Sequence, residues 1–397
     1  MIREQCPVCS ASDIEEIIAL DDYPLAGNGA VEASEAKKIP SGTLSIGMCR
    51  VCGSVFQLTP ISIEELDAML LRQPSPLSSE ETGMEVAETD RFLESLRRYA
   101  PAKGRVLEIG CGTGTVMMQL KEWGFDVQGI DADPRAATIA KKRGFEVRAG
   151  RFEEGLYEDG SFDMIVMRSI LEHVPEPTLF LSAINNLLKP NGLLAVEVPN
   201  AGRVFRRSGF GGFSFHHHQY WKVPTLRYAL TLQGMDIVGG YEESYIAMFA
   251  QVPDKGEEAL DPVPPSDEEV EVAFDDVDAF LERKDKLAEE LPALLARQCP
   301  NGIIILGAGT PSVDMLYYTG IGDKVRRVVT TDKTRYGAVL SGSSFTIEAM
   351  VAIESKQDFD AVLVSSERRQ EELLELLDPF LDSGGRVIRF KPDIELI

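Results

Sequence analysis

Residues 106–120, VLEIGCGTGTVMMQL, restrict the possible folds of this chain more than any other stretch. Val106, Leu107 and Ile109 read as a buried strand, Gly110, Gly112 and Gly114 supply a tight turn, and Val116, Met117 and Leu120 restart the apolar pattern at helical spacing. Strand, glycine turn and helix in that order aim free backbone N–H groups at a ligand, as in an α/β domain. The dinucleotide form of the turn, G-x-G-x-x-G, would need glycine at 115, where the chain has Thr115, and it has no use for the acid Glu108.

The segments that follow keep a fixed order. Residues 125–131 read as a second strand ending in Asp131, about twenty residues after the first glycine, where a carboxylate can accept hydrogen bonds from both hydroxyls of a ribose. A third strand is expected over 145–151 and a fourth over 162–167, followed by Leu171-Glu172-His173-Val174; residues 187–200 carry a turn at Pro190-Asn191-Gly192 and a fifth strand. These five segments resemble the class I S-adenosylmethionine (AdoMet) methyltransferases. The resemblance implies that the cofactor's amino acid portion lies on the backbone of Gly110, Cys111, Gly112 and Gly114 beside Glu108. It further implies that Asp131 and Ala132 hold the ribose, that Arg151 and Phe152 flank the adenine, and that Arg168 and His173 complete the cofactor site. A NAD-type Rossmann domain is the structural rival.

A length of 397 residues allows two or three domains, and 44% hydrophobic residues let each bury a core. No apolar run of about eighteen residues appears, and Met1-Ile2-Arg3-Glu4 leads at once into a polar segment, so a cytoplasmic protein without membrane span or secretory signal is expected. The net charge of −24, from 64 acids against 40 bases, would repel a phosphate backbone, which argues against nucleic acid as a partner; otherwise the acids simply solvate the surface.

Four of the six cysteines form two CxxC pairs, Cys6/Cys9 and Cys49/Cys52. Four thiolates at tetrahedral geometry close the shell of a zinc ion and leave no open position, so the metal would be structural; a redox pair or unliganded thiols is the alternative. Asp13, Glu15, Glu16, Asp21 and Asp22 make this region acidic and favour a scaffold or substrate-lid role. Cys111 and Cys299 read as small fillers.

Residues 62–100 carry helical patterns, with Ile63, Leu66, Met69 and Leu70 at core spacing and Phe92, Leu93, Leu96 and Tyr99 on one face; a Pro and Ser segment over 73–81 separates them as connector or lid. Residues 201–221, AGRVFRRSGFGGFSFHHHQYW, form a loop around glycines 209, 211 and 212 that holds three of the four histidines. Aromatics and imidazoles downstream of a cofactor site suit a substrate pocket, with metal binding and inert core histidines as alternatives. A helix opens over 223–226 near Lys222 or Thr225, and 234–245 closes the sheet. Residues 253–290 contain an acidic, Pro-marked linker leading into a charged helix over 277–296. Residues 303–310 repeat strand and glycine turn at Gly307-x-Gly309, followed by a helix over 313–318 and strands over 325–332, 359–365 and 385–389. No acid stands there in the place of Glu108, so a substrate's phosphates or simple packing against the first sheet is expected. The domains read as zinc-binding (1–65), connector or lid (66–100), methyltransferase (101–250), linker and helix (251–298) and a smaller Rossmann-like unit (299–397).

In this arrangement the whole chain resembles the three-part sugar C-methyltransferases, which act on nucleotide-linked ketodeoxysugars. The resemblance implies an α/β chain with a central Rossmann-like AdoMet methyltransferase domain between a zinc-binding domain and a second, smaller Rossmann-like domain. It also implies a histidine base in a segment of the type Glu-His-x-x-Tyr-Phe-Ser. Aligned on Tyr220, His217 takes that place, with His216, His218 and Tyr220 assisting. The base would abstract a proton beside a carbonyl, and the enolate carbon would attack the sulfonium methyl. His216 stands where the family has glutamate, Trp221-Lys222 stands for Phe-Ser, and the family's tyrosines are missing from 71–81. Methylation of oxygen or nitrogen on another metabolite is the second reading, and a non-catalytic cofactor-binding assembly protein the third.

Overall fold

The computed structural model describes residues 2–25, 29–74, 83–207, 210–254, 260–353, 358–366, 369–390 and 394–397. The chain begins with β1 (Ile14–Pro24), the short β2 (Ala30–Val31), β3 (Ser41–Cys49) and β4 (Val55–Gln57). β1, β3 and β4 pair antiparallel in that order, Ile14 opposite Cys49 and Met48 opposite Val55, which carries both CxxC turns to one end of the sheet. α1 (Ile63–Arg72) starts at Ser62, whose side chain accepts the N–H of Glu65 while the Glu65 carboxylate accepts that of Ser62. Leu66 and Met69 are buried as their spacing predicts, but Ile63 is 49% exposed: this face of α1 borders a cavity rather than a packed core. α2 (Gly83–Leu96) buries Phe92, Leu93 and Leu96; Tyr99, beyond its end, stacks on Phe249 with ring centroids 5.1 Å apart, lies against Gly239 and stays 37% exposed. Positions 75–81 of the expected Pro and Ser segment, and glycine 209 of the histidine loop, lie outside the described residues.

The central unit runs β5 (Arg105–Ile109), α3 (Thr115–Glu122), β6 (Asp126–Asp131), α4 (Pro134–Lys142), β7 (Glu146–Ala149), β8 (Phe162–Arg168), a 3₁₀ turn (Leu171–His173), α5 (Pro177–Leu187) and β9 (Leu188–Pro199). It continues with α6 (Ala201–Arg207), β10 (Gln219–Tyr220), α7 (Val223–Thr231), β11 (Asp236–Glu242) and β12 (Tyr245–Gln251). Near-continuous apolar strands such as β8 are buried on both faces, as a helix-covered parallel sheet requires. The strand order is β11-β12-β9-β8-β5-β6-β7, with β12 antiparallel to β9. The chain reverses direction across the sheet between β5 and β8, so the crevice for a ligand opens at the carboxyl ends of those strands. The expected turn at Pro190-Asn191-Gly192 lies inside β9: Asn191 takes a φ of 61°, yet its N–H donates to Val252 O (3.0 Å) and the strand continues. β10 belongs to the first sheet instead, pairing Tyr220 with Val55 and Gln219 with Phe56.

α8 (Asp267–Gln298) begins at Asp267 rather than at 277. Ser266 and Glu269 form a capping box there, and the acidic run that reads as linker is the helix's solvated face. Its first half packs Ala273, Val277 and Phe280 against Leu44, Met48 and Val55 of the first sheet; its second half packs Leu287, Leu291 and Leu295 into the last.

That last unit contains β13 (Ile303–Leu306), α9 (Thr310–Thr319), β14 (Val325–Thr330), β15 (Val339–Leu340), β16 (Ile347–Ala349), β17 (Ala361–Val364), α10 (Gln370–Leu376), α11 (Asp378–Asp382), β18 (Val387–Arg389) and β19 (Glu395–Leu396). Its sheet order is β16-β14-β13-β17-β18-β19, parallel except for β19. β15 pairs with β2, which ties the two ends of the chain together. Next to that pairing Gly29 has a φ of 83°, and a Cβ there would lie 2.4 Å from the carbonyl carbon of Gly309. A Gly29→Ala variant is therefore expected to lose about 1–3 kcal/mol of stability, read as a lower thermal midpoint with AdoMet affinity unchanged. Among the described residues no helix is long and apolar enough to cross a membrane.

Candidate active site

The glycine turn joins β5 to α3. Gly110 has a φ of 75°, and a Cβ on it would meet Ile170 at 2.1 Å; around Gly112, at a φ of 53°, nothing lies within 4 Å of that position, which leaves an open cradle of backbone. The Asp131 carboxylate, at the end of β6, accepts the N–H groups of Gly112 (2.6 Å) and Asp133 (2.8 Å). Burial pushes its pKa up, and those two amides oppose the rise. Beneath the turn Glu108 is buried with Oε2 unpartnered. Burial pushes its carboxyl up to about 8, Arg168 opposes this and Asp131 adds to it. An orphaned carboxyl oxygen under an open backbone cradle fits a ligand that brings a positive charge and so favours the ionised form of Glu108, as the amino acid end of AdoMet does.

A cavity of about 720 Å³ runs from this turn to the histidine loop. Such a volume suits a small-molecule site. Gly110, Asp131, Ala132, Arg151, Phe152, Arg168 and His173 border it, whereas Glu108 and Gly112 are not among its lining residues. Cys111 and Gly114 turn away: the Cys111 sulfur packs over Gly129, and Gly114 rests against the Phe145 ring. Arg151 Nε donates to Asp67 of α1 (2.8 Å), and Arg168 donates to Glu197 (2.7 Å) and Thr89 (3.0 Å), so both cations are anchored before any ligand arrives. Asp131→Ala is expected to weaken AdoMet binding by about 10- to 100-fold by calorimetry, the loss of a charged hydrogen-bond acceptor worth roughly 1.5–3 kcal/mol, with the fold intact.

Four clamps hold the histidine loop. Gly211 N–H donates to Asp314 of α9 (2.6 Å), Gln57 of β4 donates to the carbonyls of Ser214 (2.9 Å) and Phe215 (2.8 Å), and His218 N–H donates to Glu172 O (2.7 Å). The Tyr220 hydroxyl accepts from Ser214 N–H (3.0 Å) and donates to Ser214 O (3.1 Å), so its position fixes the loop. Burial pushes its pKa up. His218 is 1% exposed, lies off the cavity and has no partner at either ring nitrogen. His216 and His217 are half-buried and border the cavity, their ring centroids 4.3 Å apart, with His217 5.0 Å from His173. His173 Nδ1 donates to His216 O (2.6 Å), because a carbonyl can only accept; its Nε2 therefore carries the lone pair in the neutral ring. Burial, with the neighbouring imidazoles, lowers His216 to about 3 and His217 well below its ordinary value. At neutral pH both are free bases.

The four cysteine sulfurs gather within 4.8 Å of one another, with Cys6 to Cys52 at 3.6 Å and Cys9 to Cys49 at 3.5 Å. Two thiolates each about 2.3 Å from one zinc at tetrahedral angles stand about 3.8 Å apart, so the donor set fits that ion. Cys6, Cys49 and Cys52 share a core with Trp221 and Leu226 of the central unit.

Sequence reasoning did not place α1, Thr310, Gln57, Asp314 or Glu197 at or behind this cavity. Each arrives from a distant segment through tertiary packing, which no local pattern marks. Glu172, an acid inside the apolar stretch LEHV, did carry a signal, since such an acid is buried wherever its neighbours are.

Two domain families match the sequence: a methyltransferase domain over residues 84–238 and a C-methyltransferase C-terminal domain over residues 250–392. The C-methyltransferase NovU of Streptomyces niveus is 22% identical over 423 residues, which cover 99% of this chain and 97% of that protein. The ubiquinone biosynthesis O-methyltransferase of Xanthomonas axonopodis pv. citri (strain 306) is 36% identical over 110 residues, 26% of this chain and only 46% of that protein. The solved structure of the PH0226 protein from Pyrococcus horikoshii OT3 aligns with a TM-score of 0.39 at 18% identity, covering 45% of this chain and 95% of that one. With the glycine turn, the Asp131 carboxylate and the strand order in place, and with both domain families matched in sequence order, the chain belongs to the AdoMet-dependent C-methyltransferases.

Proposed function

We propose that the enzyme methylates a carbon beside a carbonyl in a small molecule, a nucleotide-linked ketosugar, with His217 as the base, and that Cys6, Cys9, Cys49 and Cys52 hold a structural zinc. The observation that carries this reading is that one cavity has the Gly110 and Asp131 turn at one end and a neutral imidazole on a clamped loop at the other. When bound, AdoMet supplies an electrophilic methyl group on sulfur. Glu108 and Asp131 hold the cofactor's polar ends, and the clamped loop keeps His217 aimed into the cavity. A neutral His217 accepts the proton; its low basicity is offset by the negative charge that develops beside it. Because it is neutral down to well below pH 6.5, the rate is expected to fall toward acid only below that point. Thr310, at the first turn of α9, borders the same cavity and gives the C-terminal unit a place against the substrate's phosphates.

The test is turnover with AdoMet and a panel of nucleoside-diphosphate ketodeoxyhexoses, with the methylated atom located by mass spectrometry and NMR. A new carbon–carbon bond supports the reading. A methyl group on oxygen or nitrogen supports the second reading, favoured by the similarity to an O-methyltransferase; AdoMet binding with no product from any small-molecule panel supports the non-catalytic one.

A further inference from the structure

One carboxyl group on the cavity wall has no task so far. Glu172 is 2% exposed yet borders the cavity, and its Oε2 has no partner. Its other oxygen lies 3.9 Å from His173 Nε2, which bears a lone pair because Nδ1 of that ring donates to His216 O. A carboxylate and a lone pair that face each other out of water repel, and one proton between them removes the conflict. Burial decides where that proton rests, pushing Glu172 up to about 8, with Glu197 adding to the rise, and His173 down. The 3₁₀ turn packs against β9, which presents Glu197, and against β10 and the loop before it, which present Tyr220, His216, His217 and His218. Glu197 is already occupied by Arg168 and the Tyr241 hydroxyl, and the two other cations that act on the neighbouring histidines, Arg3 and Arg151, are paired with Glu176 and Asp67.

We propose that Glu172 is a catalytic acid of this methyl transfer: its neutral carboxyl group donates a hydrogen bond to the substrate oxygen that turns negative as His217 takes the proton from the neighbouring carbon. The inference rests on the carbon methylation proposed above. The C–H bond breaks with its electron pair passing into the enolate, and the proton goes to His217. The carbon–methyl bond then forms as the sulfur–methyl bond breaks, its electron pair remaining on sulfur. The carbonyl re-forms, and Glu172 keeps its own proton throughout. The rival use of the cluster is a divalent ion, since donor atoms of Glu172, His173 and His217 lie within 4.8 Å of one another. The 3.9 Å separation of Glu172 from His173 is wider than the roughly 3–3.4 Å that two donors about 2.1 Å from one ion span at octahedral or tetrahedral angles, which favours the proton.

Two measurements on the full chain test this. In infrared difference spectra of wild type against Glu172→Gln at pH 7, the carbonyl stretch of a protonated carboxyl group is expected, and it should titrate away near pH 8. In turnover with the ketodeoxyhexose panel, the wild-type rate is expected to fall above about pH 8 as the donor ionises. Glu172→Gln, whose amide still donates, should lose this alkaline limb and about 10-fold in kcat, and Glu172→Leu about 100- to 1,000-fold, both with wild-type AdoMet affinity by calorimetry. Three results would overturn the proposal: a carboxylate band at pH 7, a Leu variant as fast as wild type, or a divalent ion beyond the cysteine site that Glu172→Gln loses. If wild type methylates no sugar of the panel, the acceptor reading fails by itself, and the infrared band still decides whether Glu172 holds the proton.

Discussion

His217→Ala is expected to slow methyl transfer by about 10²- to 10⁴-fold while leaving AdoMet affinity at its wild-type value. The two halves of that statement come from opposite ends of one cavity. The proposed cofactor contacts belong to the glycine turn and Asp131, whereas His217 sits on the clamped loop with its ring 4.3 Å from His216 and 5.0 Å from His173. Truncation removes no hydrogen bond that holds the loop, since the clamps run through Gly211, Ser214, Phe215 and His218. The loss should therefore appear in kcat, with calorimetry unchanged. Full turnover in the variant would remove His217 from the chemistry, and His216, equally neutral and on the cavity wall, would become the base to test.

The second large effect is expected from the cysteine cluster. Cys49→Ser should reduce bound zinc, measured by plasma emission, from about one ion per chain to a small fraction, and abolish turnover. Structural zinc contributes on the order of 10–16 kcal/mol in small zinc domains, as much as the whole stability of a typical domain, so the first sheet should not form without it. The damage would spread to the chemistry, because β4 pairs with β10 and so holds Gln219 and Tyr220, two and three residues after His217. AdoMet binding should survive in weakened form, since the seven-stranded sheet has an apolar core of its own around Phe92, Val106 and Val166. A variant free of zinc that turns over normally would show that the four thiols need no metal.

The glycine-turn half of the candidate site was legible because it is local. Strand, turn and carboxylate lie within residues 106–131, and glycine's freedom at positive φ, together with the strand period, leaves marks in the sequence itself. The CxxC pairs were legible for the same reason. The histidine-loop half was legible only as residue types: the three histidines marked a loop, yet which of them faces the cavity depends on Gln57 and Asp314, supplied by other units, and on Glu172 of the distant 3₁₀ turn. α8 was misplaced at its start because a run of acids reads as solvated linker, while the capping pair Ser266 and Glu269 and the buried Ala273 show the helix already under way. β10 was missed because two residues are too few to show a period, and only their partner strand defines them.

Because α8 completes the core of the opening sheet with Val277 and Phe280, beside Phe205, Phe213 and Phe215, that sheet's inner face keeps one side open while the ribosome is still working through the middle of the chain. The first fifty residues emerge early, but the part of their apolar surface that α8 covers stays in water until about two-thirds of the polypeptide has emerged. Translation stalled before α8 would thus leave a partly covered, sticky leader on the nascent chain, the form that a chaperone would meet first.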